Sequence, residues 1–172
     1  MTLKFRTLRI GRNHMAFVMS HRGLRRVYLP VARVGELKQH IRRDEPGAEE
    51  DPQLEPRLAK EFAQYFAGES VPEFHARMDW SGHGSFEADV WSACARVPYG
   101  ETESYKGLAE RLAMPDAARA VGMAMSRNPC PIVVPCHRIV RSDGSLGGYS
   151  GPGGVAFKQR LLEMEARAAV TV

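Results

Sequence analysis

The first part of the chain contains three short apolar runs separated by turn sequences. The runs cover residues 5–10, 15–19 and 24–29, with Gly11-Arg12-Asn13 and His21-Arg22-Gly23 between them. Glycine and asparagine accept the backbone conformations of tight turns, so runs with such separators indicate strands joined by short turns. The pattern predicts an antiparallel meander over residues 3–29.

The apolar spacing then changes to every third or fourth residue, which is typical of a helix. Val34, Leu37 and Ile41 predict a helix over residues 31–43. A second helix, ending near Gly68, is predicted from the positions of Leu58, Phe62, Tyr65 and Phe66.

Two segments of the first half have other compositions. Residues 44–56 contain six acidic residues and three prolines, which predicts a solvated, mobile loop. Residues 74–78 predict a strand that completes the sheet. Trp80-Ser81-Gly82-His83-Gly84-Ser85 has the composition of a linker, so we place a domain boundary there and expect domains at 1–80 and 85–170.

Beyond this boundary the pattern becomes mainly helical. Helices are predicted over 86–96, over 105–112 with Ser104 as cap, and over 117–127 with Asp116 as cap. Two short helices joined by Ala113-Met114-Pro115 resemble a helix-turn-helix unit, although a helical hairpin in a bundle has the same pattern. The overall fold class is therefore α+β.

The last part of the chain combines an apolar run, a turn and a glycine-rich loop. Residues 139–146 suggest a short hairpin, residues 147–154 are rich in glycine, and residues 155–168 form a final helix. The loop has no GK[ST] ending and follows no parallel strand pattern, which argues against nucleotide binding.

Three cysteines are present, and their neighbours differ. Free cysteine usually packs as a small hydrophobe, and we expect this of Cys94 and Cys130. Cys136 is followed directly by His137 and Arg138. Positive neighbours lower the pKa of a thiol, so we expect Cys136 to be a nucleophile that is mostly thiolate at neutral pH. No CxxC pair exists, so we expect no metal site.

Composition and charge narrow the class of protein. The 172 residues are 44% hydrophobic, with a net charge of +4, which fits one domain or two small ones. No apolar stretch reaches membrane-spanning length and the start lacks a signal-peptide core, so we expect a cytoplasmic protein without membrane contact. Residues 117–141 contain four arginines and no acidic residue, and this positive region suits a surface that meets phosphates.

Several short motifs together resemble a known family, the O6-alkylguanine-DNA alkyltransferases, also called methylated-DNA-protein-cysteine methyltransferases. The motifs are Pro135-Cys136-His137-Arg138, Arg119-Ala120-Val121-Gly122, Asn128-Pro129 and Gly148-Tyr149-Ser150-Gly151. The match is dense over residues 86–165, whereas upstream only the order of elements is similar. The resemblance implies a ribonuclease H-like N-terminal domain with an antiparallel sheet and a winged-helix-like C-terminal domain.

The resemblance also implies an activity. Such a protein flips O6-alkylguanine out of double-stranded DNA and moves the alkyl group irreversibly onto its own cysteine, once per molecule and without a cofactor. O4-alkylthymine is a further candidate lesion, and a monomer in solution is expected. By position, Cys136 is the alkyl acceptor, His137 is the base acting through a water, and Glu165 is the buried acid behind it. Tyr105 rotates the 3′ phosphate and protonates the leaving guanine.

The remaining matched positions concern DNA and the extruded base. Arg119 corresponds to the finger that fills the vacated space, and the small residues Ala120 and Gly122 let its helix approach a minor groove. Arg127 and Ser104 are expected to contact DNA. The residues expected around the base are Val134, Tyr149 and Ser150, with Asn128 as the hinge between helix and cysteine segment.

Departures and rival functions accompany this resemblance. Gly148 stands where some members carry asparagine, the 151–154 loop is longer than usual, and the N-terminal half has no cysteine for a structural zinc. The principal alternative is an alkyltransferase-like sensor that binds lesions without transfer, but such proteins lack the cysteine. A cysteine hydrolase would need a turn at Cys136, because neighbouring side chains on a strand point to opposite faces. A plain DNA-binding regulator is the third alternative.

Overall fold

The computed structural model describes residues 2–170, so the first residue of the predicted 1–80 domain lies outside the described residues. The chain divides into two compact units, Met1–Trp80 and Ser81–Val172. The division falls within the predicted linker. Mixed helices and strands with a small sheet make up the fold, as the α+β class requires.

A four-stranded sheet forms the centre of the first unit. β1 (Lys4–Ile10), β2 (Asn13–Ser20) and β3 (Gly23–Val31) form the predicted antiparallel meander. A short fourth strand, β4 (Glu49–Glu50), pairs in parallel with β1, which gives the order β3-β2-β1-β4.

Two helices cover opposite faces of this sheet. α1 (Val34–Asp44) packs Leu37 and Ile41 into a cluster with Ala16 and Val18 of β2. α2 (Pro56–Phe66) places Phe62 against Phe17, with ring centroids 5.8 Å apart. Because successive residues of a strand point to opposite faces, the two helices explain why the middle of β2 is buried on both sides.

The prediction of a solvated, mobile loop over residues 44–56 is wrong at Glu45 and at β4, although most of the segment is exposed. Glu45 is only 3% exposed, and its carboxylate accepts hydrogen bonds from Arg25 and Arg26 at 2.9 Å each. Glu50 lies in β4, where its side chain pairs with Lys38 at 2.7 Å. Four of the six acidic residues pair with basic residues of the sheet or of α1, namely Asp44, Glu45, Glu50 and Asp51. Much of the acidic charge therefore serves ion pairing within the unit.

The predicted strand over residues 74–78 is also wrong. Only its last residue makes a bridge, to Leu24 of β3. Phe74 turns toward two aromatic rings of α2, and the backbone N–H of His75 donates to the Glu61 carboxylate at 2.9 Å. Aromatic packing and the hydrogen bond to Glu61 therefore replace the backbone hydrogen bonds that a fifth strand would have made with the sheet.

The second unit consists mainly of short helices. Its elements are α3 (Ser85–Cys94), β5 (Glu103–Ser104), α4 (Tyr105–Arg111), a 3₁₀ turn (Pro115–Ala117), α5 (Ala118–Ser126), a 3₁₀ turn (Cys136–Arg138), β6 (Ile139–Val140) and α6 (Gly154–Val170). Over residues 2–170, no helix is both long enough and apolar enough to cross a membrane.

Three local predictions in this unit had different outcomes. Ser104 caps α4, since its hydroxyl accepts the N–H of Gly107 at 2.8 Å, as predicted. Asp116 does not cap α5, because it lies within a 3₁₀ turn and the helix begins at Ala118 without a side-chain cap. The hairpin over 139–146 has its turn but no returning strand, because β6 pairs in parallel with β5 instead.

Candidate active site

The second unit contains a cavity of about 630 Å³, a volume within the usual range of about 300–1,000 Å³ for small-molecule sites. Cys136 lies in its wall and is 9% exposed. The other lining residues are Tyr105, Ala118, Arg119, Gly122, Met125, Ser126, Arg141, Gly147, Gly148, Tyr149 and Ser150. A thiol thus shares one cavity with a phenol, an arginine and the glycine-rich loop.

Two consecutive turns present the thiol. The N–H of Val134 donates to the carbonyl of Cys130, and the N–H of Cys136 donates to the carbonyl of Val134, both at 2.8 Å. Within the first turn Ile132 adopts a φ of 76°, which is costly for a β-branched residue and so requires support from its surroundings. Cys136 and His137 therefore lie on a turn, where the strand-based argument against their cooperation does not apply.

Asn128 fastens this segment to the end of α5. Its side-chain amide donates to the carbonyl of Val134 at 2.8 Å and its oxygen accepts the N–H of Cys130 at 2.9 Å. One side chain thereby satisfies both ends of the turn that precedes the thiol. The position of the thiol is thus coupled to the helix that carries Arg119.

A buried cluster of three ionisable side chains lies beside the cysteine. Glu165 of α6 is fully buried and accepts from His137 Nε2 at 2.7 Å and from Arg138 Nε at 2.8 Å. Arg138 makes a second contact with Glu165 at 3.1 Å and donates to the carbonyl of Val97 at 2.7 Å. Both residues that follow the thiol therefore direct their side chains at one carboxylate.

The pKa shifts of this cluster have clear causes. Burial alone would raise the pKa of Glu165, but the hydrogen bonds and charges of His137 and Arg138 outweigh it and lower that pKa to about 2. Burial lowers the pKa of His137, and the Arg138 charge adds to this effect. At neutral pH the site therefore holds a carboxylate and a neutral imidazole. The Nε2–H donates to Glu165, which places the imidazole lone pair on Nδ1.

The expected thiolate at Cys136 is not the resting state in this structure. Burial raises the pKa of the Cys136 thiol, against the opposing effects of the Asn128 side chain, the charge of Lys158 and the backbone N–H groups of Cys136 and His137. The prediction assigned the lowering to His137 and Arg138, but His137 is neutral and Arg138 is engaged by Glu165. The sulfur is therefore a protonated thiol until a base accepts its proton.

Tyr105 stands at the start of α4 and lines the same cavity as the thiol. Burial raises the pKa of its hydroxyl, which therefore stays protonated and able to donate at neutral pH. Gly122 of α5 faces this ring, and a Cβ at Gly122 would lie 3.8 Å from it, an ordinary contact distance. The protein could therefore accommodate alanine in place of Gly122 without a steric clash.

The other predicted site residues are divided between the cavity and its surroundings. Arg119, Gly122, Tyr149 and Ser150 line the cavity together with Cys136 and Tyr105. The Ser150 hydroxyl donates to the carbonyl of Ser126 at 3.1 Å, which closes the glycine-rich loop onto the end of α5.

Besides His137, Glu165 and Asn128, four more predicted residues lie outside the cavity lining. Ala120 is exposed on α5, Arg127 lies 3.4 Å from Glu87, and Ser104 is the α4 cap. Val134 is fully buried, and its carbonyl already accepts from Asn128 and Cys136.

Arg138 has a different role from the one predicted, and Lys158 is an additional residue beside the site. Arg138 was expected to act on the thiol and instead holds Glu165. Lys158 is fully buried next to the glycine-rich loop and was not singled out at all. Its signal was present, because Lys158, Leu161 and Glu165 follow the spacing of the buried face of α6. Over residues 2–170, no group of three or more His, Cys, Asp or Glu side chains could hold a metal ion.

A buried thiol with a histidine and carboxylate behind it, facing a cavity with a phenol donor, defines a cysteine-dependent group-transfer protein. A family model described as 6-O-methylguanine DNA methyltransferase, DNA binding domain, matches residues 85–167. A methylated-DNA–protein-cysteine methyltransferase of Mycolicibacterium paratuberculosis is 45% identical over 121 residues, which cover 70% of this chain and 71% of the relative. The inducible enzyme of that name from Bacillus subtilis is 40% identical over 139 residues, covering 79% and 75%.

Solved structures agree with these relatives. The crystal structure of Mycobacterium tuberculosis OGT in complex with DNA superposes with a TM-score of 0.79 at 32% identity, covering 96% of this chain and 94% of that one. The O6-methylguanine-DNA methyltransferase of Pyrococcus kodakaraensis gives a TM-score of 0.69 at 29% identity, covering 95% and 99%. The chain belongs to the methylated-DNA–protein-cysteine methyltransferase family, whose activity is DNA repair by alkyl transfer to a protein cysteine.

Replacing Glu165 with glutamine tests the cluster. The variant leaves the Arg138 charge buried without its carboxylate, a change that typically costs about 3–5 kcal/mol of stability. It also weakens His137 as a base, so we expect alkylation of Cys136 to require a higher pH. Thermal unfolding and the pH dependence of iodoacetamide modification measure the two effects.

The matched control is Glu163→Gln on the same helix, where the side chain is 49% exposed and pairs with Arg167. We expect the free energy of unfolding of this control to lie within about 0.5 kcal/mol of that of the parent protein. The pH dependence of its Cys136 modification should be unchanged. Equal behaviour of the two variants would show that Glu165 does not act on the thiol.

Proposed function

We propose that this protein binds duplex DNA containing O6-alkylguanine, rotates the damaged nucleotide into the cavity and transfers the alkyl group to Cys136. The observation that carries the proposal is the shared cavity of Cys136, Tyr105 and Arg119, with the His137–Glu165 pair next to the thiol. Each molecule acts once, because the site offers no group that would break the new carbon–sulfur bond. O4-alkylthymine is a second candidate lesion for the same chemistry.

The transfer is a displacement at a saturated carbon. The Cys136 proton moves to His137 Nδ1 through a water, and the sulfur lone pair then forms a bond to the alkyl carbon. The bond from that carbon to guanine O6 breaks, and its electron pair stays on the guanine. Tyr105 gives its hydroxyl proton to the departing base, and the proton held by His137 restores the balance. A neutral His137 and a protonated Tyr105, as their pKa directions support, are the starting states this sequence needs.

Extrusion of the base is assigned to α5. Flipping a nucleotide costs a few kcal/mol, and a side chain that fills the gap in the stack offsets part of this cost. Arg119 is exposed at the cavity edge in the first turn of α5, which suits this role. Ala120 and Gly122 keep the helix face small enough for close approach to a minor groove. Arg127 and Ser104 are assigned contacts with the DNA backbone.

The glycine-rich loop and the turn before Cys136 are assigned to the extruded base. Tyr149 offers a ring at the cavity wall for stacking, and Ser150 offers its hydroxyl. Val134 is assigned a contact with the base through its backbone carbonyl, which requires the base to displace one of the two hydrogen bonds that this carbonyl now accepts. Asn128 acts as a hinge, because it joins α5 to the cysteine segment.

The two halves are assigned different tasks. Residues 85–170 bind DNA and carry out transfer in a winged-helix-like arrangement, which the pairing of β5 with β6 beside α4 and α5 supports. Residues 1–80 form a structural domain of ribonuclease H-like type, supported by the strand order β3-β2-β1-β4 with its parallel edge. We further propose a monomer that needs no cofactor and acts in the cytoplasm, where its DNA substrate would lie.

Intact-protein mass spectrometry after incubation with an O6-methylguanine duplex tests the proposal. We expect the mass of one methyl group to be added and to map to the Cys136 peptide, because one sulfur accepts one group. Cys136→Ser should stay unmodified, and in the parent protein no added mass should map to Cys94, which is fully buried and does not line the cavity.

The rival functions give different results in this experiment. Tight binding of the lesion duplex without added mass would indicate a sensor. Hydrolysis of an ester or peptide at Cys136 would indicate a hydrolase, and equal binding to damaged and undamaged duplex without transfer would indicate a regulator.

Arg119→Ala tests the extrusion step. Without the Arg119 side chain, the free-energy cost of flipping the nucleotide, a few kcal/mol, is no longer offset. We therefore expect the rate of single-turnover transfer from duplex DNA to fall by about tenfold to a hundredfold. Transfer from free O6-methylguanine base, which needs no extrusion, should change much less. The control is Arg160→Ala on α6, outside the cavity lining. Equal losses on duplex and free base would contradict the finger role.

A further inference from the structure

Arg141 lines the cavity, but the reaction described above gives it no task. It follows β6 directly, whereas Tyr105 follows β5, and these two strands pair in parallel with Ser104 opposite Val140. The next position in this register places Tyr105 beside Arg141. Because neighbouring strands lie about 4.8 Å apart, the two residues start side by side at the cavity wall.

The surroundings of Gly147 show that the two side chains also converge. Gly147 has a φ of 69°, and a Cβ built on it would lie 3.3 Å from the Tyr105 hydroxyl and 3.7 Å from Arg141 Cγ. The phenol and the stem of the arginine therefore lie around one point of the glycine-rich loop. The register of the strands and the packing of the loop independently bring the same two side chains together.

The backbone of Arg141 is held in a turn. Its N–H donates to the carbonyl of Ser145 at 2.8 Å, and its carbonyl accepts the N–H of Gly144 at 2.9 Å. Asp143 lies in the same turn, but its carboxylate accepts from the N–H and the hydroxyl of Ser145, at 2.9 Å and 2.6 Å. Across residues 2–170, no carboxylate forms an ion pair with Arg141. The turn thus fixes a cation at the cavity wall without neutralising it.

Several elements place charged or titratable groups around the phenol. Burial raises the pKa of Tyr105, and the thiols of Cys136 and Cys94 act in the same direction as potential anions. The charge of Arg141 opposes them. The other charged neighbours are Lys158, 5.8 Å from the ring centroid, Arg119 in the cavity lining, and Asp143 in the turn.

We propose that Arg141 is a positioning residue that acts through Tyr105, and that its guanidinium stabilises the phenolate formed when the hydroxyl gives its proton to the departing guanine. The O–H bond of Tyr105 breaks and its electron pair stays on the phenolate oxygen. The proton bonds to the guanine, which has kept the electron pair of the broken carbon–oxygen bond. This inference rests on the proposed function, because it assigns Arg141 to the same alkyl transfer.

The balance of charge explains why a cation is useful at this place. When the alkyl group has moved, His137 holds the thiol proton and Tyr105 has lost its own. The site therefore carries one new positive charge and one new negative charge. A nearby cation favours the charged form of an acid, and Arg141 lies beside the negative charge.

The test compares Arg141→Gln, which removes the charge, with Arg141→Lys, which keeps it. The control is Arg160→Gln, at an exposed position of α6 outside the cavity lining. Single-turnover transfer from an O6-methylguanine duplex and from the free O6-methylguanine base is measured for each variant. The Arg141→Gln measurement is repeated in a Tyr105→Phe protein.

We expect Tyr105→Phe to lose about a hundredfold or more in transfer, the usual contribution of a general acid. Arg141→Gln should lose about threefold to tenfold, because a change of about one unit in the pKa of the acid is only partly expressed in the rate. The loss should be equal on duplex and free base. Arg141→Lys should retain most of the parent's rate, and Arg160→Gln should match it. In the Tyr105→Phe protein, Arg141→Gln should change the rate by less than about twofold, because the group it acts through is gone.

A second readout needs no DNA. Protein labelled with 3-fluorotyrosine, whose phenol titrates at lower pH than that of tyrosine, is followed by fluorine NMR as the pH rises. The chain has five tyrosines, and a Tyr105→Phe sample identifies the signal by its absence. We expect Arg141→Gln to raise the pKa of this phenol, while Arg141→Lys and Arg160→Gln leave it near the parent value.

Three results would overturn the proposal. A loss on the duplex but not on the free base would make Arg141 a DNA contact, and an equal loss in the Tyr105→Phe protein would show that it does not act through the phenol. An unchanged fluorotyrosine titration in Arg141→Gln would show that its charge does not reach the phenol. If the parent protein transfers no methyl group, the proposed function fails, whereas the titration still decides whether Arg141 acts on Tyr105.

Discussion

The second unit depends on the burial of one carboxylate between a histidine and an arginine. Glu165 reaches from α6 to both residues that follow the cysteine, at 2.7 Å and 2.8 Å. Removing three ionisable groups from water is costly, and the geometry recovers that cost only if every partner stays in place. The cluster therefore fixes the final helix against the Cys136–Arg138 turn and determines which way each side chain of the turn points.

This constraint explains how a thiol can be both protected and reactive. Arg138 holds Glu165 as a carboxylate, and Glu165 accepts the His137 Nε2–H, which fixes the tautomer of the ring. Burial lowers the pKa of His137 against the effect of Glu165, so the imidazole remains neutral and able to accept a proton. Burial meanwhile raises the pKa of Cys136, which keeps the sulfur protonated in the resting protein. Reaction then requires a base and an electrophile at the same place, which is a sensible arrangement for a group that is consumed by a single turnover.

Local patterns predicted much of the fold. The turn sequences around Gly11 and Gly23 indicated the hairpins of the first sheet, and 3.6-residue spacing indicated α1, α2 and α6. Charge composition alone misled for residues 44–56, because Glu45 is neutralised by Arg25 and Arg26, which lie about twenty residues away in sequence. Long-range pairing of this kind leaves no mark on the local pattern.

The sequence predicted which residues form the site better than it predicted their ion pairs and protonation states. The motif at Cys136 indicated the thiol and the histidine, the family resemblance indicated Glu165, and Glu165 contacts His137 in the structure. Adjacency in sequence suggested that Arg138 acts on the thiol, but a 3₁₀ turn sends its guanidinium to Glu165 instead. Lys158 is far in sequence from every cavity-lining residue outside the glycine-rich loop, and only the packing of α6 brings it to the site.

The most direct test of this account is the protonation state of His137, measured by nitrogen NMR of ¹⁵N-histidine-labelled protein from pH 5 to pH 8. The chain has six histidines, and a His137→Gln sample identifies the signal by its absence. The account predicts a neutral ring with its proton on Nε2 at pH 7 and a pKa below the ordinary value of about 6.5. An imidazolium at pH 7, or a neutral ring protonated on Nδ1, would contradict it.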